Sequence, residues 1–392
     1  MKGYWSRKTM GKQKRWGKQE QVSMGVLLLA SVVGLLLRWQ GIRYESGDFQ
    51  SCLSLWMDNL KGGGISILSQ YTGDYNMPYV TVLWILTYLP VEPIIGIKSF
   101  SILFDFICAA AGGALAVTCS KNEKSSRTFV ITYCLIFLSP IAVMNSGYWG
   151  QCDSVYVAFV LLACWCMLKD KHVLCMIFWG CAFAFKLQAI FGFPILLLYY
   201  WKNRKFSFLY FLLIPVAMEV LCLPAILGGC SPLITFTVYL SQMKTFPEMY
   251  YFYPNLWTFF QDTTYYVFGK MAITGTLVIL MLQAVWILSE EEKLGKKQFF
   301  TYFTWILMTV LCFLPCMHER YGYMLEMAAI IYAVIDRKKW WFALGLHIIM
   351  TLTYAPGILG HALVDARILA AGYLILYMLM SYCRINRRKQ YA

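Results

Sequence analysis

From Val22 to the C-terminus the sequence is a succession of apolar runs separated by short polar or basic connections. Most runs reach the roughly twenty residues a helix needs to cross the hydrocarbon core of a bilayer. Backbone groups in lipid find no water, so each run must satisfy its own hydrogen bonds, which a helix does. Only 14% of residues are charged and 59% are hydrophobic, whereas a soluble chain carries about a quarter charged residues. The pattern predicts an all-α polytopic integral membrane protein with about 11–13 transmembrane helices. A single transmembrane domain is expected over 21–383, between basic tails at 1–20 and 384–392.

The first span is expected at Val22–Arg38. No small-x-small cleavage pattern follows it, so it reads as a retained signal anchor. Pro78–Cys119 is interrupted by Pro90-Val91-Glu92-Pro93 and by Lys98, and reads as two helices. Later runs fall near 128–145, 153–168, 173–200, 206–228, 265–288, 298–316, 321–335, 340–355 and 366–383. The run 173–200 is broken by Lys186 and Pro194.

A net charge of +14 could suggest nucleic acid, but its placement argues against that partner. Basic residues gather before the first span, after the last (Arg384, Arg387, Arg388, Lys389) and in connections such as Lys202/Arg204/Lys205 and Arg337/Lys338/Lys339. That is the positive-inside distribution of a membrane protein. It puts the first loop, 39–77, on the outside, together with Tyr148–Asp153, 229–255 and Met317–Arg320. Basic Lys121–Arg127 conflicts with two full spans in Pro78–Cys119; either a half-span or an outward basic loop would resolve it. The stretch 229–255 reads as an interfacial amphipathic helix or as a loose loop. The 14 cysteines are scattered, mostly in apolar runs, and suit small packing residues.

The first loop is the one sizeable acidic segment between the first two apolar runs. Asp48 stands in Gly-Asp-Phe just after the first span, and Asp74 in Gly-Asp-Tyr just before the second run. A lone loop aspartate is usually a solvated turn residue, but these two bracket the loop and could meet over one cavity. Ionisable residues at membrane depth are costly and usually face a cavity. Lys186, Asp105 and the run His318-Glu319-Arg320 are of that kind, whereas Asp365 and Arg367 suit a span end. Tyr148-Trp149-Gly150-Gln151-Cys152-Asp153 is a further polar-aromatic break. Asp153 there suits either a helix N-terminal cap or a site residue, and the Trp/Tyr pair suits a membrane interface equally well. Together these residues outline an outward cavity with carboxylates from one loop and cations from distant spans. A carboxylate can deprotonate a hydroxyl, and cations can stabilise a departing phosphate. A proton-coupled transporter could use the same ingredients. A membrane O-acyltransferase would want a catalytic histidine deep in an apolar run, and neither His318 nor His347 has a partner pattern for it.

At these residues the chain resembles a known family. ESGDFQSCLSLWMDNL followed by YTGDYNMPYV is similar to the first external loop of GT-C glycosyltransferases. The likeness is strongest to bacterial mannosyltransferase-like proteins related to the second mannosyltransferase of GPI-anchor synthesis, and more distant to dolichyl-phosphate-glucose glucosyltransferases. NSGYWGQCDSVYVAFVLLA, FAFKLQAIFGFP, YPNLWTFF and CMHERYGY resemble later motifs of the same family, in the same order. The glucosyltransferases carry a double proline after the second aspartate motif, and this chain has Tyr75-Asn76-Met77-Pro78 instead. The resemblance implies a GT-C-like bundle with a structured first external loop. It also implies inverting transfer of a hexose from a polyprenyl-phosphate monosaccharide to a glycan or lipid-linked acceptor. The expected setting is a bacterial plasma membrane with the site facing outside. Carried onto this sequence, Asp48 would be the general base and Asp74 would shape the rim. Lys186, His318 and Arg320, with Glu319 beside them, would meet the lipid phosphate. Gln151, Asp153, Asn255 and Trp257 would line the sugar or acceptor region. No cofactor is expected, and the sequence does not require a metal: paired acids could bind one, but the loop lacks a compact oxygen-ligand cluster. A flippase or transporter of lipid-linked sugars is the competing expectation.

Overall fold

A computed structural model of the chain describes residues 17–120, 125–245, 247–261 and 264–389. Residues 1–16 of the basic tail and 121–124 of the Lys121–Arg127 cluster lie outside them, as do residues 390–392. Every regular element among the described residues is helical. The α-helices of ten residues or more are α1 (Lys18–Gln40), α2 (Met77–Leu86), α3 (Pro93–Cys119), α4 (Ser126–Phe137), α5 (Asp153–Leu168), α6 (His172–Phe185), α7 (Pro194–Asn203), α8 (Leu213–Leu227), α9 (Ile234–Thr245), α10 (Tyr265–Leu288), α11 (Lys296–Phe313), α12 (Tyr323–Ile335), α13 (Trp340–Thr353) and α14 (Ala366–Lys389). The protein is an all-α polytopic membrane protein.

Among the described residues, six helices are long and apolar enough to cross a membrane, or seven if the bent pair of α4 and Pro140–Trp149 counts as one span. The expected 11–13 spans treated each apolar run as one crossing. Several runs are broken instead. The run 128–145 bends by 51° at Ser139-Pro140, where proline removes a helical donor. The run 173–200 is split at Lys186 into α6, a short 3₁₀ turn and α7. Helices α5 and α12 have 16 and 13 residues and fall short of the roughly twenty-residue requirement. They are almost wholly buried inside the bundle. The last helix runs on through Lys389, so much of the expected tail at 384–392 is helical.

The Pro78–Cys119 stretch is indeed two helices, broken around Pro90–Pro93. Ten residues of α2 reach about 15 Å, half the hydrocarbon thickness. Asn76 precedes it at the cavity, and Trp84 and Tyr88 near its far end both donate to the Gly63 carbonyl of the first loop. Helix α3 then starts beside the end of α1, where the Lys98 ammonium donates to the Gly41 and Tyr44 carbonyls at 2.7 and 2.6 Å. A cation there offsets the negative C-terminal end of α1. Thus α3 starts at the C-terminal end of α1.

A buried ionic cluster ties four segments together. Asp105 Oδ2 accepts from Arg38 Nε at 2.8 Å and from Ser146 Oγ at 2.5 Å, and Asp105 Oδ1 accepts from Tyr323 Oη at 3.3 Å. The remaining Arg38 donors go to the Gly34 and Phe137 carbonyls, each at 3.0 Å. A buried charge is tolerable only when paired and hydrogen-bonded, and here both conditions hold. Arg38 leads into Asp48, Ser146 into Trp149 and Gln151, and Tyr323 follows Arg320. One aspartate therefore fixes the relative height of three chain segments that meet at the cavity.

The first loop is folded. A π-helical turn (Phe49–Leu53), a short helix (Ser54–Leu60) and a 3₁₀ turn (Ile65–Gln70) occupy it, with Phe49, Leu53, Met57, Leu60 and Leu68 buried. The stretch 229–255 contains α9, whose Tyr239 is buried while Leu233, Phe236 and Leu240 lie exposed around it.

Candidate active site

The first loop, the 144–151 turn, the α6–α7 break and the 316–321 turn close around a cavity of about 500 Å³. Asp48, Asp74, Gln151, Lys186, His318, Glu319 and Arg320 line it. Asp48 sits at the start of the π-helical turn. Ser46 fixes this stretch by accepting from Phe49 N at 3.2 Å and donating to the Trp149 carbonyl at 2.7 Å.

Three donors converge on Asp48 Oδ2: Gln151 Nε2 at 2.5 Å, Trp149 Nε1 at 3.1 Å and Arg320 Nη1 at 3.2 Å. Asp48 Oδ1 has no donor among the described residues. The Gln151 amide is oriented from its other side, because Tyr75 Oη donates to Gln151 Oε1 at 2.9 Å. Trp149 is fixed by edge-on packing against Tyr354 at 5.3 Å and by close approach of Gly357. A Cβ at Gly357 would lie 2.1 Å from the indole. Gly150 has φ +78°, which lets the chain turn back so that Gln151 N reaches the Asn145 carbonyl at 3.0 Å. Flanking side chains then meet one carboxylate oxygen.

That turn makes a direct prediction. A β-carbon at a left-handed position costs about 1–2 kcal/mol, with asparagine the best tolerated of the non-glycine residues. Thermal unfolding of purified Gly150 variants should therefore rank Gly above Asn, Asn above Ala and Ala above Val. Equal melting temperatures for Gly150→Ala and wild type would show that the turn relaxes without strain.

Arg320 lies in a 3₁₀ turn (Glu319–Gly322) directly before α12. Its Nη1 is shared between Asp48 and Glu319 Oε1, at 3.2 and 3.4 Å, and its guanidinium faces the Trp149 ring at 5.8 Å. Arg320 Nε and Glu319 Oε2 are buried without a hydrogen-bond partner. Burial pushes the Glu319 carboxyl up from its usual range, opposed by Arg320. Burial likewise pushes the Asp74 carboxyl up, opposed by Arg320 and Lys186.

His318 lines the cavity among aromatic rings. Its ring lies 4.1 Å from the Tyr251 ring and 5.0 Å from that of Tyr321. Burial, with Arg320 and Lys186 nearby, depresses it to about 2, which favours the neutral imidazole. Lys186 lines the cavity but its charge is already balanced: Nζ meets Asp153 Oδ1 at 2.6 Å, with both side chains buried. Asp153 Oδ2 accepts from Asn145 Nδ2 at 2.9 Å. Asp153 is the first residue of α5, with Cys152 at the N-cap position. It is the counter-ion of Lys186, in the cavity wall rather than on its surface.

Asn255 and Trp257 do not line the cavity. Asn255 Nδ2 donates to the Leu311 and Leu314 carbonyls at 3.2 and 3.1 Å, and Trp257 Nε1 to the Phe313 carbonyl at 2.7 Å. They hold the end of α11, from which the chain runs on to His318 and Arg320. Sequence reasoning missed Trp149, Tyr75, Trp56, Tyr251 and Phe252 as cavity residues. The local hint for Trp149 was its place in the polar-aromatic break Tyr148–Asp153, where it also suited a membrane interface.

The arrangement offers a carboxylate with one free oxygen, an arginine held by two carboxylates, and an aromatic rim. It suits abstraction of a proton next to a bound anion. The chain matches no known protein family and no curated protein.

Proposed function

We propose that the protein is a membrane glycosyltransferase that moves a hexose from a polyprenyl-phosphate monosaccharide to an acceptor hydroxyl, with inversion, at the non-cytoplasmic face of a bacterial plasma membrane. The observation that carries this reading is the meeting of Asp48 and Arg320, remote in sequence, at 3.2 Å in a shared cavity of about 500 Å³. A pocket of that size is in the range that holds a small organic ligand.

Asp48 Oδ1 takes the proton of the acceptor hydroxyl as its oxygen bonds to the anomeric carbon. The bond from that carbon to the phosphate oxygen breaks, and its electron pair leaves with the phosphate. Arg320 stabilises the departing anion. A guanidinium can grip a phosphate through two parallel hydrogen bonds, and Arg320 Nε is buried without a protein partner. An arriving phosphate competes with Asp48 for Arg320. Donor binding thereby releases the base it needs. The neutral His318 ring can offer a nitrogen hydrogen to the same anion.

The test is a panel of polyprenyl-phosphate hexoses supplied to the purified protein in detergent with crude cell-envelope acceptors. A new glycosidic bond formed without any nucleotide sugar is the expected result. Movement of lipid-linked sugar across liposomes with no new bond would replace this reading by a flippase.

A further inference from the structure

The loop over the cavity mouth is strained in two adjoining places. Phe252 has φ +65° and Cys316 φ +61°, a backbone region that residues bearing a β-carbon seldom enter. The two stretches are clasped by backbone bonds, Tyr253 N to the Met317 carbonyl at 3.2 Å and Cys316 N to the Met249 carbonyl at 3.4 Å. Met249 and Tyr253 are buried, yet the left-handed residue between them leaves Phe252 52% exposed. The strain therefore holds an apolar ring out of the core, at the edge of the cavity it helps to line. Such strain persists only where the surroundings enforce it, and it gathers at functional sites.

We propose that Phe252 is a stacking platform for a sugar ring in this cavity; this rests on the transferase reading. The ring stands perpendicular to Tyr251 at 5.5 Å and tilted to Tyr250 at 6.1 Å, so its neighbours hold it in place. Tyr251 in turn packs against His318, which adjoins Glu319 and Arg320. Beyond the ring the cavity is lined by apolar residues such as Leu53 and Phe185 and by polar ones. The polar ones include Gln242, whose Oε1 is buried without a partner, and Glu319, a residue only 6% exposed whose Oε2 is likewise unpaired. A flat apolar ring beside unpaired hydrogen-bond acceptors matches a pyranose, with C–H bonds on one face and hydroxyls at its edge. A prenyl chain would leave those acceptors unpaired, at the full desolvation penalty of a buried polar atom.

Saturation-transfer NMR on the purified protein in detergent tests this with methyl hexopyranosides and, separately, farnesyl phosphate. Wild type and Phe252→Tyr should saturate the sugar C–H protons. Phe252→Gly and Phe252→Asn should weaken that signal by roughly 3- to 10-fold, the range one aromatic contact supplies, while farnesyl phosphate is unaffected. Phe252→Gly should unfold at the same temperature as wild type or higher, because glycine is at ease at this φ. No sugar signal from wild type, an unchanged signal in both non-aromatic variants, or loss of farnesyl phosphate instead would each overturn the proposal. The readout needs no turnover. Phe252-dependent sugar binding in a protein that transfers nothing would sink the transferase and keep the platform.

Discussion

Replacing Asp48 with asparagine is expected to lower hexose transfer by roughly 10²–10⁴-fold, the usual contribution of a positioned general base, while the protein stays folded and inserted. Asparagine has nearly the same shape, and its carbonyl oxygen can still accept from Trp149 and Gln151. The loss is the charge that takes the acceptor proton. The same substitution withdraws one of the two carboxylates that hold Arg320. Donor binding should therefore stay constant or tighten while turnover falls. That opposition separates a base from a residue that merely shapes the pocket, whose loss weakens binding and turnover together. Full turnover in Asp48→Asn would end the assignment. A fall in donor affinity equal to the fall in rate would move Asp48 to a binding role.

How much of this was legible in the chain depended on the range of the cause. Local patterns served well: apolar runs named the helices, and Pro90–Pro93 located the break between α2 and α3. Span counts failed where one residue alters the geometry of a run. Pro140 bends one apolar run, and the departure at Lys186 splits another. At the site, Asp48 and the His318–Arg320 run stood out because charge is scarce in this chain. Their contact could not be read from either stretch, since it depends on Asp105 holding Arg38, Ser146 and Tyr323 at one height. Asp153 and Lys186 were both visible as expensive charges, but not that each offsets the other. Asn255 and Trp257 stood in a suggestive motif, and their hydrogen bonds go to backbone carbonyls behind the site.

The pairing of Lys186 with Asp153 carries the largest expected effect on stability. Asp153 is fully buried, and Lys186→Met would leave its carboxylate with only the Asn145 amide. Breaking a buried ion pair by removing one partner typically costs about 3–5 kcal/mol, because the remaining charge is stranded. The reverse removal should be milder. In Asp153→Asn the lysine still borders the cavity, where its ammonium can reach water. Thermal unfolding in detergent should therefore show Lys186→Met well below Asp153→Asn, and the double variant Lys186→Met/Asp153→Asn should recover most of the loss. Equal destabilisation by the two single changes would mean that Asp153 is not the more deeply stranded partner. The double variant also separates two roles for the lysine. If Lys186 only balances Asp153, the repacked double variant regains transfer along with stability. If its ammonium turns toward the phosphate once donor is bound, the double variant is stable but slow, and its deficit appears in donor affinity.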